Sequence, residues 1–397
     1  DTGVTQRHGV TLSGGDDVSD FLMSLDQTNT NGIVPKDRYN RTNFRFKASR
    51  KYNKLSLGGN FSFFRSHADQ VGEGGRQGRP VYWNVLNTPL HLPLDQMKNW
   101  QTGKFTRNEV SFFRFYENPY FIIDTQREYN DLTQFNIVAN ADYKATEDLK
   151  VSFRVGYTGT SSSFKRKFGA FTYDFHLAHP YSEMDVYGAS TSSSNSNSQR
   201  VNTDLIVSYD KQINEDFKVS ALVGQNMRLT SNNSTNVNGG DLIIKDFWDV
   251  STRKGDLGGS ESASKYRKVG FYGNVTLGYK DYLFLNLTGR NDITSSLSSE
   301  NNSFFYPSGG LSFVASDAFP NIVSENGLSY LKTSLSFSKT GTDPGAYAIN
   351  NFFSAPGNFP YGGIAGLSQS GRIADPALKP AFTKSIELGV EFGLFHN

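Results

Sequence analysis

Val269-Gly270-Phe271-Tyr272-Gly273-Asn274-Val275-Thr276-Leu277-Gly278-Tyr279-Lys280-Asp281-Tyr282-Leu283-Phe284-Leu285-Asn286-Leu287-Thr288 decides the fold. Successive side chains of a strand point to opposite faces. Val269, Phe271, Gly273, Val275, Leu277 and Tyr279 therefore share one face, and Gly270, Tyr272, Asn274, Thr276 and Gly278 the other. A tight turn at Lys280-Asp281 follows. Leu283, Leu285 and Leu287 then alternate with Phe284, Asn286 and Thr288. Each half of this hairpin has an apolar and a polar side. A tilted strand crosses a bilayer with ~9–11 residues, and these strands have about that length or more. The stretch predicts an all-β chain, a segment of a transmembrane antiparallel β-barrel.

The same alternation recurs along the chain. Thirteen strands are expected, near residues 7–13, 18–26, 39–49, 53–65, 131–144, 148–160, 200–212, 216–230, 265–280, 281–292, 303–316, 327–340 and 380–393. Short connections fall at Asp16-Asp17, around Lys51, at 144–147, at 210–215, at Lys280-Asp281 and, more loosely, at 321–326. Long ones fall at 66–130, 161–199, 231–264, 293–302 and 341–379. Outer-membrane barrels alternate in this way, with tight periplasmic turns and large extracellular loops. A soluble β-sandwich has no need for every second connection to be long.

Composition agrees. Hydrophobic residues make up 37% of the 397-residue chain, and the mean hydropathy is −0.49. No stretch approaches the ~18 consecutive apolar residues of a membrane helix. A barrel needs none, because only alternate residues face lipid. The 32 Phe and 20 Tyr suit the aromatic girdles that flank a barrel's lipid band. A net charge of +2 without a basic patch argues against nucleic acid. The absence of cysteine excludes disulfides and thiolate metal sites. No secretory leader opens the chain, and both ends lie close to strands, so the chain is expected to be part of a longer polypeptide.

Tyr143, Tyr209, Phe217, Tyr279 and Tyr282 flank the short turns, and Tyr143, Tyr209 and Tyr279 are in phase with the apolar faces of their strands. An aromatic body with a polar tip is most stable at a membrane interface. The opposite faces carry Ser56, Asn60 and Ser62 on one strand, and Lys150, Ser152 and Arg154 on another. A lone buried cation costs several kcal/mol, so these side chains must face water or a plug. That implies a hydrated lumen and a wide barrel.

From Tyr282 to Phe392 the chain resembles the SusC/RagA-type TonB-dependent transporters of Gram-negative outer membranes. The resemblance rests on Leu285-Asn286-Leu287-Thr288-Gly289-Arg290-Asn291-Asp292 and Phe305-Tyr306-Pro307-Ser308-Gly309-Gly310-Leu311-Ser312-Phe313. Leu331-Lys332-Thr333-Ser334-Leu335-Ser336 follows, then Asp375-Pro376-Ala377-Leu378-Lys379-Pro380 leading to Ile386-Glu387-Leu388-Gly389-Val390-Glu391. Leu12-Ser13-Gly14-Gly15, Phe21-Leu22-Met23-Ser24-Leu25 and Gly32-Ile33-Val34 resemble the family's first barrel strands. Asn87-Thr88-Pro89 and Asn118-Pro119-Tyr120 resemble landmarks of its first large loop. The resemblance implies that residues 1–397 are the central part of one roughly 22-stranded barrel domain. It places the plug, the TonB-contacting segment and the remaining strands outside this chain. It further implies active import of a glycan or peptide oligomer, with a SusD-like lipoprotein as lid and the TonB complex as energy source. A passive porin-like channel and a soluble β-rich surface-binding protein are the alternatives.

No enzyme motif stands out. Gly72-Glu73-Gly74-Gly75-Arg76-Gln77-Gly78 neither leaves a buried strand nor opens an apolar helix, so it reads as loop and not as a phosphate cradle. His176 and His179 have metal-like spacing but no third ligand, and Pro180 follows at once. No metal or cofactor is expected. Aromatics crowd the long loops instead. Apolar side chains on a water-facing loop either pack into a loop core or bind something. The candidate substrate- or lid-binding residues are Trp83, Trp100, Tyr116, Tyr120, Trp248 and Tyr347. The 66–130 loop is expected to fold over the barrel mouth, with Trp83 and Trp100 as its anchors.

Overall fold

The computed structural model describes residues 2–72, 80–102, 118–172, 186–244, 246–324, 327–354 and 366–395. Thirteen strands form one antiparallel sheet in which each strand pairs with its neighbours in sequence. They are β1 (Val4–Gly15), β2 (Ser19–Asn31), β3 (Arg38–Tyr52), β4 (Leu55–Val71), β5 (Arg127–Lys144), β6 (Leu149–Phe168) and β7 (Ser190–Gln212). Then come β8 (Phe217–Gly239), β9 (Gly258–Tyr279), β10 (Leu283–Thr294), β11 (Ser303–Val314), β12 (Leu328–Thr342) and β13 (Ala381–Leu394). Among the described residues β1 and β13 each leave one edge unpaired. No described helix is long and apolar enough to cross a membrane.

The turn at residues 280–282 fixes the register of the deciding hairpin. Lys280 and Asp281 both take positive φ, at 47° and 56°, which suits a tight connection between right-twisted strands. Val275 then faces Leu287 and Leu277 faces Leu285. The same row continues as Leu285 to Leu311, Leu311 to Leu335, and Leu335 to Leu388. Leu287, Leu311, Leu335 and Leu388 are exposed. An apolar band this wide is unstable in water and stable against lipid.

The other face carries a hydrogen-bonded amide and hydroxyl ladder. Asn274 donates through Nδ2 to Thr288 Oγ1 at 2.8 Å and to Asn286 Oδ1 at 3.2 Å. Asn286 donates to Thr276 Oγ1 at 2.7 Å. At the short-turn end a chain of rings runs Phe217, Tyr279, Tyr282, Phe313, Phe319, with centroid separations of 4.9, 5.5, 6.0 and 6.2 Å. The expected aromatic girdle is therefore continuous across these turns.

Two long loops of the sequence reading give up about half of their length to strand. β7 begins at Ser190 rather than 200, β8 runs to Gly239 rather than 230, and β9 begins at Gly258 rather than 265. The added residues are mostly Ser, Thr, Asn and Gly, so no apolar alternation marks them. Their side chains pair across the sheet instead. Ser198 Oγ donates to Asn232 Oδ1 at 2.6 Å, and the Ser234 and Ser262 hydroxyls are 2.8 Å apart. β7 and β8 have 23 residues each. Less than half of that length is needed to cross a bilayer, so the remainder projects beyond it on the long-loop side.

Among the described residues the sheet parts between β11 and β12. The β11–β12 ladder stops at Ser308 opposite Ser338, whereas β11 pairs with β10 down to Ser303 and β12 with β13 up to Thr342. Pro307 is the next residue of β11, and proline has no N–H to donate to a ladder. Phe304 occupies the gap, against Phe382 at 6.2 Å and against Gly341, where a β-carbon would lie 2.8 Å from the Phe304 ring.

The β4–β5 connection has its own core. Val81 on α1 (Val81–Asn87), Trp100, and Phe121, Ile122 and Ile123 on α2 (Pro119–Thr125) are buried together. Asn118 caps α2, its Oδ1 accepting from Tyr120 N–H at 2.9 Å while its Nδ2 donates to Met97 O at 3.0 Å. Pro119 at the first helical position is compatible with that start.

Candidate functional site at the rim

Three tethers hold the long connections onto the strand ends. The first centres on Arg127, the first residue of β5. Its guanidinium is almost wholly buried between two carboxylates, with Nη1 2.9 Å from Asp37 Oδ1 and Nη2 2.7 Å from Asp69 Oδ1. It also donates to the carbonyls of Lys36 and Ile123, at 3.0 and 3.3 Å. Alternation along β5 puts Arg127 on the apolar side, in phase with Ile137. Lys36 Nζ reaches Asp124 Oδ1 at 2.7 Å, and Trp100 Nε1 donates to Asp124 Oδ2 at 2.9 Å. The loop core is thus pinned to the β2–β3 turn.

The second tether surrounds Trp248. Its Nε1 donates to Phe168 O at 3.1 Å, and Lys167 Nζ lies 5.3 Å from its ring and 4.4 Å from that of Tyr129. Arg166 and Glu128 pair alongside at 2.6 Å.

The third lies on the polar face. Asp292 on β10 accepts from Arg290 Nε at 2.8 Å, Lys268 Nζ at 3.0 Å and Tyr306 Oη at 2.6 Å. Gly270 stands opposite Asp292, and a β-carbon there would lie 2.3 Å from Arg290 and 2.5 Å from Asp292, so glycine makes room for the pair. Lys268 also reaches Asp343 Oδ1 at 3.0 Å. Asp343 Oδ2 accepts from Thr294 Oγ1 at 2.6 Å, Tyr266 Oη at 2.7 Å and Ser296 Oγ at 3.1 Å. Burial pushes the Asp343 carboxyl up, but these hydrogen bonds and the Lys268 charge outweigh it and hold the pKa at about 2.

The candidate aromatics do not converge. Trp100 and Tyr120 belong to the β4–β5 loop core, with Trp100 buried and packed edge-on to Phe121 at 5.1 Å. Trp83 lies on α1 beside that core and is half exposed. Trp248 stands over β5 and β6. Tyr347 adopts a left-handed backbone (φ 62°), accepts from Lys265 N–H at 3.1 Å and meets Phe352 at 6.4 Å. Tyr116, like His176, His179 and residues 73–78 of the glycine-rich stretch, lies outside the described residues. Among those described, no group of three or more His, Asp or Glu side chains converges to hold a metal ion. Arg127 and the Lys268–Asp292–Asp343 group escaped the sequence reading. The hairpin register does carry a signal for part of the latter, because it places Lys268 opposite Thr294 on the polar face.

No family model matches the sequence, and no curated protein matches it. Solved structures do. The RagAB peptide importer in its closed-closed state covers 99% of this chain with 42% of its own, at 18% identity and a TM-score of 0.79. The chain has the fold of a SusC/RagA-type transporter barrel. The open-open state of the same importer gives 0.77 at the same identity. The ferric-catecholate import receptor Fiu of E. coli K12 gives 0.55 at 12% identity, covering 98% of this chain with 54% of its own. The chain thus spans less than half the length of the RagAB chain it matches. In this SusC/RagA-type outer-membrane barrel fold, the leucine band is the lipid side and the asparagine ladder the lumen wall. The structures named above are those of importers and a receptor.

Proposed function

We propose that this chain is the central wall of an outer-membrane importer that takes up a nutrient oligomer, an oligopeptide before a glycan. The two-faced sheet carries this reading, because its exposed leucine band fits only lipid while its opposite face stays polar to the rim. The likeness to the RagAB peptide importer supports the peptide preference. The free edges of β1 and β13 are completed by further strands of the same polypeptide, which also supplies the plug. A SusD-like lipoprotein covers the long-loop side, and the TonB complex drives uptake through a region outside this chain. Trp83 is the foremost contact for lid or substrate, since its ring stays half exposed. Trp248 and Tyr347 present two further rings at the rim, whereas Trp100 and Tyr120 hold the loop core that carries Trp83.

The test is uptake by cells expressing the full-length protein. Labelled oligopeptides should enter in a proton-gradient-dependent manner, and Trp83→Ala should lower uptake or lid capture without changing heat-modifiable gel mobility. A membrane-impermeant thiol reagent should modify Asn197→Cys on intact cells and spare Lys280→Cys. Gradient-independent uptake, with a large steady conductance in planar bilayers, would replace this reading with a passive channel.

A further inference from the structure

The strap that follows β12 carries a carboxylate into a site the wall has already built. Asp343 follows β12, yet it reaches Thr294 on β10, two strands away, and Tyr266 and Lys268 on β9, three strands away. The parting of β12 from β11 above Pro307 is what allows this. Above Ser338 the strand pairs only with β13. The wall side is complete without Asp343. Tyr266 Oη, Lys268 Nζ, Thr294 Oγ1 and Ser296 Oγ surround one carboxylate, and Thr294 and Ser296 are almost wholly buried. Lys268 and Arg290 face the single remaining anion Asp292. With the strap lifted, the wall therefore keeps one net positive charge and three hydroxyls with no carboxylate to serve. The Thr294 and Ser296 hydroxyls still hold each other at 2.9 Å, and the unbalanced charge favours an anion.

We infer that Tyr266, Lys268, Thr294 and Ser296 form a binding site for a carboxylate of the transported oligomer, which Asp343 occupies while the strap is closed. The inference rests on the import reading and narrows its substrate to carboxylate-bearing oligomers, such as peptides with a free C-terminus. A substrate carboxylate that displaces Asp343 removes the strap's ionic hold and leaves the weaker Tyr347 contact with Lys265, so occupancy and opening are coupled. A self-occupied site lowers the apparent affinity by the fraction of molecules that are open.

Full-length transporter in detergent is titrated by calorimetry with N-acetyl-trialanine bearing a free C-terminal carboxylate, and with its C-terminal amide. Asp343→Ala should bind the free acid at least about tenfold more tightly than wild type, because the competing side chain is gone. The amide should bind both proteins alike. Adding Lys268→Met to Asp343→Ala should abolish the gain. Equal changes for acid and amide, or a gain that survives Lys268→Met, overturn the inference. If Asp343→Ala loses heat-modifiable mobility, Asp343→Asn serves, with a smaller gain of the same sign expected and no gain counting against. Wild-type uptake without a carboxylate preference in the variants sinks this inference alone. A carboxylate preference without uptake in cells sinks the import reading alone.

Discussion

The lower wall and the rim of this sheet are built on different terms. In the lower wall the surroundings decide each residue, with lipid on one side and a wet lumen on the other. Leu285 and Asn286 are neighbours in sequence and opposite in fate. In the rim both faces of the projecting strands meet water, so alternation loses its meaning and Ser, Thr and Asn take over. Order there comes from a few buried charges, at Arg127, Asp292 and Asp343. The lower wall spreads its stability over many equivalent positions, and the rim concentrates its own in a few.

That contrast is sharpest at Arg127. Arg127→Met strands Asp37 and Asp69 without their cation. Breaking one side of a buried pair costs ~3–5 kcal/mol. Proteolysis of outer-membrane preparations should then cut residues 80–126 far faster than in wild type while the barrel migrates normally. A variant as resistant as wild type would show that the apolar loop core holds itself in place.

A smaller but wider effect is expected in the lower wall. Leu285→Arg should cost ~2–4 kcal/mol in refolding titrations, the price of an arginine at bilayer depth. Asn286→Arg faces the lumen and loses only its hydrogen bonds, about 1 kcal/mol. Equal losses would mean that the two faces are not lipid and lumen.

Acid should act on the rim before the wall. The folded pKa of Asp343 is depressed to about 2 from 3.8. Its contribution, about 2 kcal/mol, is therefore fully present above pH 4 and fades as the pH falls through 2. A fluorophore on a cysteine at Gly345 should report release of the strap in that window, and Asp343→Asn should erase the transition. Release that persists in Asp343→Asn would assign the acid response elsewhere.

The least effect belongs to the serine ladder. Ser234→Val exchanges one exposed hydroxyl contact with Ser262 for a good strand former, and should move stability by no more than ~0.5 kcal/mol. A larger loss would show that the projecting strands depend on their side-chain ladder and not on their backbone pairing alone.

Legibility in the sequence follows the same division. Every strand of the lower wall could be read, because lipid enforces a two-residue period, and Tyr143, Tyr209 and Tyr279 marked the turn side. The first ten residues of β7 could not, since a run of Ser and Asn looks alike in a strand and in a loop. The aromatic content of the 66–130 segment announced a folded loop, yet nothing in it said that Trp100 would lie inside and Trp83 outside. Lys268 and Asp292 were within reach of the hairpin register. Asp343 was not, because it meets Lys268 only through tertiary structure, across two intervening strands.

Pro307 gives the rim a mechanical character of its own. Below Ser308 and Ser338 a pull on β12 is shared by ladders on both of its sides, to β11 and to β13. Above that level the hairpin is a cantilever, clamped at its base and free along one edge. Bending it inward or outward breaks no backbone hydrogen bond to β11. Its stiffness resides in its own cross-strand pairs and its rest position in the contacts of Asp343 and Tyr347 with the wall. A single proline thus converts part of a rigid wall into a spring.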